Sequence, residues 1–284
     1  MAENPSRPLR GRLLIHAMNP IRVIVMQSAI WQMTSTIVCS GDSCLVVDPG
    51  YFPPELDGIV RAVPKGATVE ALCFTHSHWD HVLGHGIFPG VPVYASSALA
   101  RSIAQGGELA ARAMKKGREY DSQWYVERPW GYDWPEDLRG LDDGGWFNIG
   151  DLDIEAFFLP GHAPDCMAIR AENWLLVGDY LSPCEIPFVD NLADYRRTLK
   201  RMIILIDLGI ENVVPGHGPQ LSADDAGRIA REDLRYLDQI ARCAERNDPA
   251  AAAAIPLPRA AGVFGMRGHH LDNCRKAGLA VSSH

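Results

Sequence analysis

Short apolar runs closed by glycine, proline or aspartate punctuate this chain, and longer segments between them carry apolar residues at helical intervals. Runs of the first kind read as strands: Arg22 to Met26, Thr36 to Ser40 and Cys44 to Asp48, with Gly41-Asp42-Ser43 as a hairpin turn between the last two. Val69 to Phe74, Ile154 to Phe158, Trp174 to Leu176 and Val213-Val214 extend the series. The helical pattern covers Ser97 to Lys116, with Ser96 and Ser97 as capping residues, then Asn191 to Leu208 and Ser222 to Arg246. The chain therefore opens as antiparallel sheet and continues by alternating helices with strands, a mixed α/β (α+β) pattern. Ala250 to Ala254, followed by Pro256 and Pro258, reads as a linker to a final helix near Gly268 to Leu279, so that residues 250–284 form a C-terminal linker and helix.

Composition narrows the class. A chain of 284 residues, 47% hydrophobic and 22% charged, fits a single globular domain spanning 1–284. It has no apolar run of the roughly 18 residues that a membrane span needs, so no membrane partner is expected. Met1 to Arg12 is polar and proline-bearing, without the apolar core of a secretion signal, and a cytoplasmic location is expected. Seven cysteines, spread from Cys39 to Cys274 without a paired framework, read as free thiols of a reducing compartment. A net charge of −8 argues against broad contact with nucleic acid, which rests on basic surface. The chain has no Walker-type phosphate loop, no dinucleotide fingerprint and no Gly-x-Ser-x-Gly elbow, which leaves metal as the carrier of catalysis.

The chemistry concentrates in Thr75-His76-Ser77-His78-Trp79-Asp80-His81, directly after the Val69 to Phe74 run. In extended backbone His76 and His78 project to one side and can grip one ion. Asp80 and His81, past a turn, are rotated toward a second point. Imidazole with carboxylate suits zinc, and also iron or manganese, whereas closed structural zinc sites favour thiolates. Three further strand ends carry ligand-type residues beside glycine: Gly161-His162, Gly178-Asp179 and Gly216-His217. Glycine there lets the backbone turn sharply and approach closely.

These motifs resemble the metallo-β-lactamase superfamily, whose His-x-His-x-Asp-His signature is met by His76, His78, Asp80 and His81. Val46-Val47-Asp48-Pro49-Gly50, Gly161-His162, Gly178-Asp179 and Pro215-Gly216-His217-Gly218 extend the likeness over about residues 20 to 220. The resemblance implies a four-layer αββα sandwich with the site along one edge of the paired sheets. It further implies that His76, His78 and His162 hold a first metal and that Asp80, His81 and His217 hold a second, with Asp179 bridging the pair. The cofactors would be two Zn2+, with Fe or Mn as alternatives. Asp179 stands where antibiotic-destroying members carry other residues, which points to the glyoxalase II and lactonase-like branch.

The expected reaction is hydrolysis of an ester-like acyl bond, a thioester or lactone of a small metabolite, by a hydroxide held between two cations. Asp80 and Asp179 are the catalytic candidates, and Asp48 is a candidate partner for a ligand imidazole. A phosphodiesterase or β-lactamase of the same fold is the alternative, and a mononuclear-iron persulfide dioxygenase is the alternative from another reaction class. Residues 97–145 read as a helical and aromatic insertion near the site, carrying Trp124, Tyr125, Trp130, Tyr132 and Trp134. Trp124, Trp130, Trp134 and Tyr180 are the expected wall of a substrate pocket. Tyr180 is also a donor candidate for a developing oxyanion. His269 and His270 in the tail read as surface residues, and association into a homodimer is left open.

Overall fold

The computed structural model describes residues 21–124, 126–260 and 262–282, so the expectations for Met1 to Arg12 and for Tyr125 lie outside the described residues. Two six-stranded sheets pack face to face among those residues. The first runs in chain order as β1 (Arg22–Gln27), β2 (Thr34–Ser40), β3 (Ser43–Val47), β4 (Thr68–Cys73), β5 (Val93–Ser96) and β6 (Leu138–Leu141). The second runs in reverse order as β12 (Leu221–Ser222), β11 (Asn212–Pro215), β10 (Trp174–Gly178), β9 (Met167–Ala171), β8 (Leu152–Phe158) and β7 (Trp146–Ile149). The first sheet opens antiparallel at β1–β2–β3 and turns parallel from β3 to β6. In the second sheet β10 and β11 are the parallel pair.

The helices are α1 (Pro53–Ala62), α2 (Trp79–Val82), α3 (Ser97–Ala104), α4 (Glu108–Gln123), α5 (Leu192–Asp207), α6 (Ala223–Glu245), α7 (Pro249–Ala253) and α8 (Met266–Lys276). Strand alternation distributes side chains between two cores. Val38, Leu45 and Val47 meet Ile154, Ile169 and Leu176 between the sheets. Their neighbours Ile37, Cys39 and Val46 turn the other way onto Leu56 and Ile59 of α1, Leu99 of α3 and Met114 of α4. On the far side, the second sheet is covered by Leu199 and Met202 of α5 and by Ile229, Leu237 and Ile240 of α6. The result is the helix–sheet–sheet–helix sandwich that the family resemblance implies. Burial on both faces explains why the central strands read as continuous apolar runs. Side-chain caps fix the helix starts, Asn191 accepting from the Asp194 N–H and Ser222 from the Asp225 N–H.

Three expectations are corrected. The helix read over Ser97 to Lys116 breaks after Ala104 and restarts at Glu108, because Gly106 turns to a φ of 61° and Gly107 caps the new start. The linker read at Ala250 to Ala254 is mostly α7, since alanines favour helix and the Asp248 side chain caps it by accepting from the Ala251 N–H. The reading of seven free thiols fails at the β2–β3 hairpin, where register sets Cys39 directly opposite Cys44 and the two form a disulfide. Cys73, Cys166, Cys184, Cys243 and Cys274 are free. No helix among the described residues is long and apolar enough to cross a membrane.

Candidate metal centre

The loops that leave β4, β8, β10 and β11 meet at one edge of the two sheets and bring seven side chains together. His76 and His78 follow β4, Asp80 and His81 lie in α2, His162 follows β8, Asp179 follows β10 and His217 follows β11. They fall into two groups whose ligand-type atoms lie within 4.8 Å of one another: His76, His78, His162 and Asp179 in one, and Asp80, His81 and His217 in the other.

Four of the five imidazoles are aimed by a partner on the outer nitrogen. Nδ1 of His162 donates to the Phe188 carbonyl at 2.9 Å and Nδ1 of His217 to the Trp31 carbonyl at 2.9 Å. Nδ1 of His81 lies 2.8 Å from Oδ2 of Asp48, and Nδ1 of His76 lies 3.1 Å from the Thr75 hydroxyl. These bonds leave four Nε2 atoms facing inward, the arrangement that metal-ligating histidines adopt. His78 instead presents Nδ1, 3.0 Å from Nε2 of His162.

Asp179 sits between the groups with its two oxygens divided. Oδ2 lies 3.2 Å from Nε2 of His162 and 3.6 Å from Nε2 of His76. Oδ1 lies 3.1 Å from Nε2 of His81 and 3.4 Å from Nε2 of His217. Asp80 completes the second group, its Oδ2 3.5 Å from Nε2 of His217 and 3.8 Å from Nε2 of His81. Backbone space makes this approach feasible. Gly178 holds a φ of 58°, where a Cβ would come within 2.8 Å of Thr75 Oγ1, and a Cβ on Gly216 would collide with Oδ1 of Asp179.

The donor set fits divalent cations. Nε2 of His76, Nε2 of His81 and Oδ1 of Asp179 are buried without a hydrogen-bond partner among the described residues. Each such orphan costs roughly 1–3 kcal/mol, a cost that coordination removes. Nitrogen and oxygen donors without thiolate suit zinc, iron or manganese. Charge balance points the same way. Burial pushes the His76 and His78 imidazoles below their ordinary range, keeping them neutral as a ligand must be. At His81 and His217 burial acts in the same direction but is overcome by the Asp179 and Asp80 carboxylates, which raise both imidazoles well above the ordinary value. Burial disfavours ionised Asp179, yet His81, His217, His76 and His162 outweigh it and hold the carboxyl well below its usual range. So dense a collection of carboxylate and imidazole calls for positive charge at its centre.

Asp48 aligns the first loop as well as His81. Its carboxylate accepts the Thr75 N–H at 2.8 Å and the Thr75 hydroxyl at 2.6 Å, from a backbone φ of 46°. A small, partly open recess adjoins His162 and Asp179, lined also by Leu181, Glu185, Ile186, Phe188 and Arg259. Burial pushes the Glu185 carboxyl up to about 7. Arg259 pairs with Asp233 at 2.6 Å and donates to the Ser182 carbonyl at 2.7 Å, tying the C-terminal segment to the loop after Asp179. Glu185, Phe188 and Arg259 carry no motif, and only the fold brings them to His162.

The expected pocket residues sit elsewhere than this recess. Trp130 and Trp134 are half-buried against the helix-side core of the first sheet, the Trp130 indole donating to the Leu83 carbonyl at 2.9 Å. Trp124 ends α4 and is 64% exposed. The Tyr180 hydroxyl gives its proton to the Leu159 carbonyl at 2.7 Å and accepts the His162 N–H at 2.9 Å. It therefore braces the His162 loop and has no proton left for an oxyanion. In the tail, His269 is exposed with its ring stacked on Phe188 at 4.0 Å. His270 departs from the surface reading: it is fully buried, with Nδ1 2.8 Å from the Tyr236 hydroxyl and Nε2 3.0 Å from the Ala252 carbonyl.

Known proteins are similar to this chain in sequence and in fold. The family model described as Metallo-beta-lactamase superfamily matches residues 30–217. The acyl-coenzyme A thioesterase MBLAC2 of Gallus gallus is 27% identical over 244 residues, 77% of this chain and 84% of that protein. The lactamase-like protein vrtG of Penicillium aethiopicum is 38% identical over 204 residues, 69% of this chain and 56% of that protein. In fold, the chain is similar to a metallo-beta-lactamase family protein from Thermus thermophilus, with a TM-score of 0.59 at 20% identity, covering 91% of this chain and 94% of that one.

Proposed function

The chain belongs to the metallo-beta-lactamase superfamily and is a metallo-hydrolase, and on that premise we propose that it hydrolyses a thioester of a small molecule at a dinuclear zinc centre. The observation that carries the reading is the division of the Asp179 oxygens, Oδ2 toward His76 and His162 and Oδ1 toward His81 and His217. On this reading His76, His78 and His162 would hold one cation and Asp80, His81 and His217 the other, with the Asp179 carboxylate available to both. Bound there, divalent cations supply a nucleophile from water near neutral pH and draw electron density from the attacked carbonyl.

The chain's own residues do the rest. The Phe188 and Trp31 carbonyls and the Asp48 carboxylate fix the ring directions of His162, His217 and His81, so little reorganisation accompanies reaction. Leu181, Ile186 and Phe188 offer the recess an apolar side for an acyl group beside Asp179. Asp80, at the edge of the second group, orients the attacking water. The net step adds water across the acyl–sulfur bond: hydroxyl joins the carbonyl carbon, and the departing thiolate takes the proton. A thioester is favoured over a lactone by the likeness to the Gallus gallus protein named a thioesterase, which spans most of both chains.

Metal analysis combined with a reporter panel tests the reading. Two equivalents of zinc and fastest turnover of thioester reporters support it, and His162→Ala should lose about one equivalent. One iron per chain with oxygen uptake on a glutathione persulfide would replace it with the dioxygenase. Preference for bis(p-nitrophenyl) phosphate or nitrocefin would replace it with a phosphodiesterase or β-lactamase.

A further inference from the structure

One edge of α4 passes beside the metal loops with side chains that the hydrolytic centre does not use. Arg112, Lys116 and Tyr120 follow one another at four-residue intervals, on one stripe of the helix, and Trp124 ends it. Eight residues of helix separate Arg112 from Tyr120, about 12 Å at the rise of an α-helix. The buried face of α4, with Ala113, Met114 and Gly117, packs inward, so the stripe lies along its margin.

Two cations about one turn apart, Arg112 and Lys116, open this stripe. Arg112 and Lys116 are exposed, and among the described residues neither has an ion-pair partner, whereas neighbouring Lys115 pairs with Glu119. Burial and the Arg112 charge press the Lys116 ammonium down from its ordinary value, while Asp80 and Glu119 hold it up.

The aromatic half of the stripe is joined to the same group. Tyr120 stacks on Trp79, the residue between His78 and Asp80, with ring centroids 4.5 Å apart. Trp31 stands edge-on to both, 5.4 Å from Tyr120 and 5.7 Å from Trp79, and is 46% exposed. Its backbone is held under strain: Trp31 and Gln32 both take left-handed φ angles, 53° and 52°. The Trp31 carbonyl accepts from His217, and the Gln32 carbonyl accepts the Gly218 N–H at 2.9 Å. Strain of this kind persists only where the surroundings enforce it, and here it turns a large ring outward beside the centre.

We propose that this surface, Arg112 and Lys116 with Trp31, Tyr120 and Trp124, binds the leaving half of the substrate, a thiol carrier that bears phosphates and a flat nucleobase, as in an acyl-coenzyme A. The proposal rests on the thioester reading above. Two unpaired cations one turn apart suit phosphate oxygens, and exposed indole rings suit a base by stacking. The carrier lies along α4 and leads its sulfur to the metals past Asp80, leaving the recess by Phe188 for the acyl half.

The test uses the full chain loaded with zinc and two thioesters with the same acyl group, one on coenzyme A and one on uncharged N-acetylcysteamine. The coenzyme A ester should show at least about tenfold higher kcat/KM, and raised ionic strength should erode that preference. The double variant Arg112→Glu/Lys116→Glu, at exposed positions, should bring the ratio near one. Adenosine 3′,5′-bisphosphate should quench tryptophan fluorescence of the wild type, and Trp31→Ala or the double variant should weaken its binding about tenfold or more. Equal kcat/KM for the two esters, an unchanged ratio in the double variant, or no binding of the bisphosphate would overturn the proposal. So would a clear preference for the acyl group on a carrier protein. Bisphosphate binding without hydrolysis of either ester would sink the thioester reading while leaving the nucleotide surface standing.

Discussion

Oδ2 of Asp48 lies 2.8 Å from Nδ1 of His81, and the same carboxylate takes the N–H and hydroxyl of Thr75, so one buried aspartate sets both the start of the metal loop and a ring within it. Asp48→Ala should therefore lower affinity for the second metal by roughly 10–100-fold, the usual cost of losing an outer partner. Competition with a chelator, followed by metal analysis, checks this. Undiminished affinity in the variant would mean that His81 is aimed by packing alone.

Asp179 predicts a larger effect. Its oxygens face two imidazole pairs, so Asp179→Ala should cost more activity than the roughly 10–100-fold loss expected at Asp48, with the secondary structure retained. Asp179→Asn should keep the shape but lose the anion, and should also fall well below wild type. Circular dichroism beside steady-state rates separates loss of chemistry from loss of fold. Full turnover by either variant would remove Asp179 from the bridge.

Much of the centre was legible in the sequence because its parts are local. Four ligand-type residues occupy one short loop, and the other three stand beside glycines just past apolar runs. Fold architecture followed from the resemblance, and strand placement from apolar runs buried on both faces. The illegible parts are those set by register and long-range packing. Cys39 and Cys44 required the hairpin pairing, and the break in the Ser97 to Lys116 helix hung on two adjacent glycines that a periodic apolar pattern hides. Phe188 and Trp31 act through backbone carbonyls, which no side-chain motif reports. Trp130 and Trp134 looked like pocket walls because aromatic rings serve packing and binding alike, and the structure uses them for packing.

His270 predicts a dependence on pH in the C-terminal segment. Its buried ring takes the Tyr236 hydroxyl on Nδ1 and faces the Ala252 carbonyl with Nε2, and burial together with Arg267 lowers its pKa below the ordinary 6.5. A depressed folded-state value means that the neutral ring's contribution is fully present above the ordinary value and is lost as pH falls through the depressed one. His270→Gln keeps polar contacts but does not titrate. The stability gap between wild type and this variant should narrow as pH drops from about 7.5 to about 5, measured by chemical denaturation at matched ionic strength. A gap that stays constant would show that folding leaves the pKa of the ring unshifted.

The segment that carries the tryptophans is anchored by an ion pair with no exposure on either side chain, Arg128 with Asp121 of α4. Two nitrogens of Arg128 reach the carboxylate at 2.6 and 3.1 Å, and the Tyr132 hydroxyl adds a third donor at 2.9 Å. Removing one partner leaves the other charge buried, so Arg128→Met should destabilise the protein by about 3–5 kcal/mol. The double change Arg128→Met/Asp121→Leu removes both charges and should recover a large part of that loss. Because α4 also carries the stripe of Arg112, Lys116 and Tyr120, the single variant should loosen substrate contacts there and raise KM before it affects metal content. A double-mutant cycle by denaturation, with metal analysis on each variant, tests both halves: additive losses would mean that the pair does not act as a unit, and early metal loss would place its influence on the centre itself.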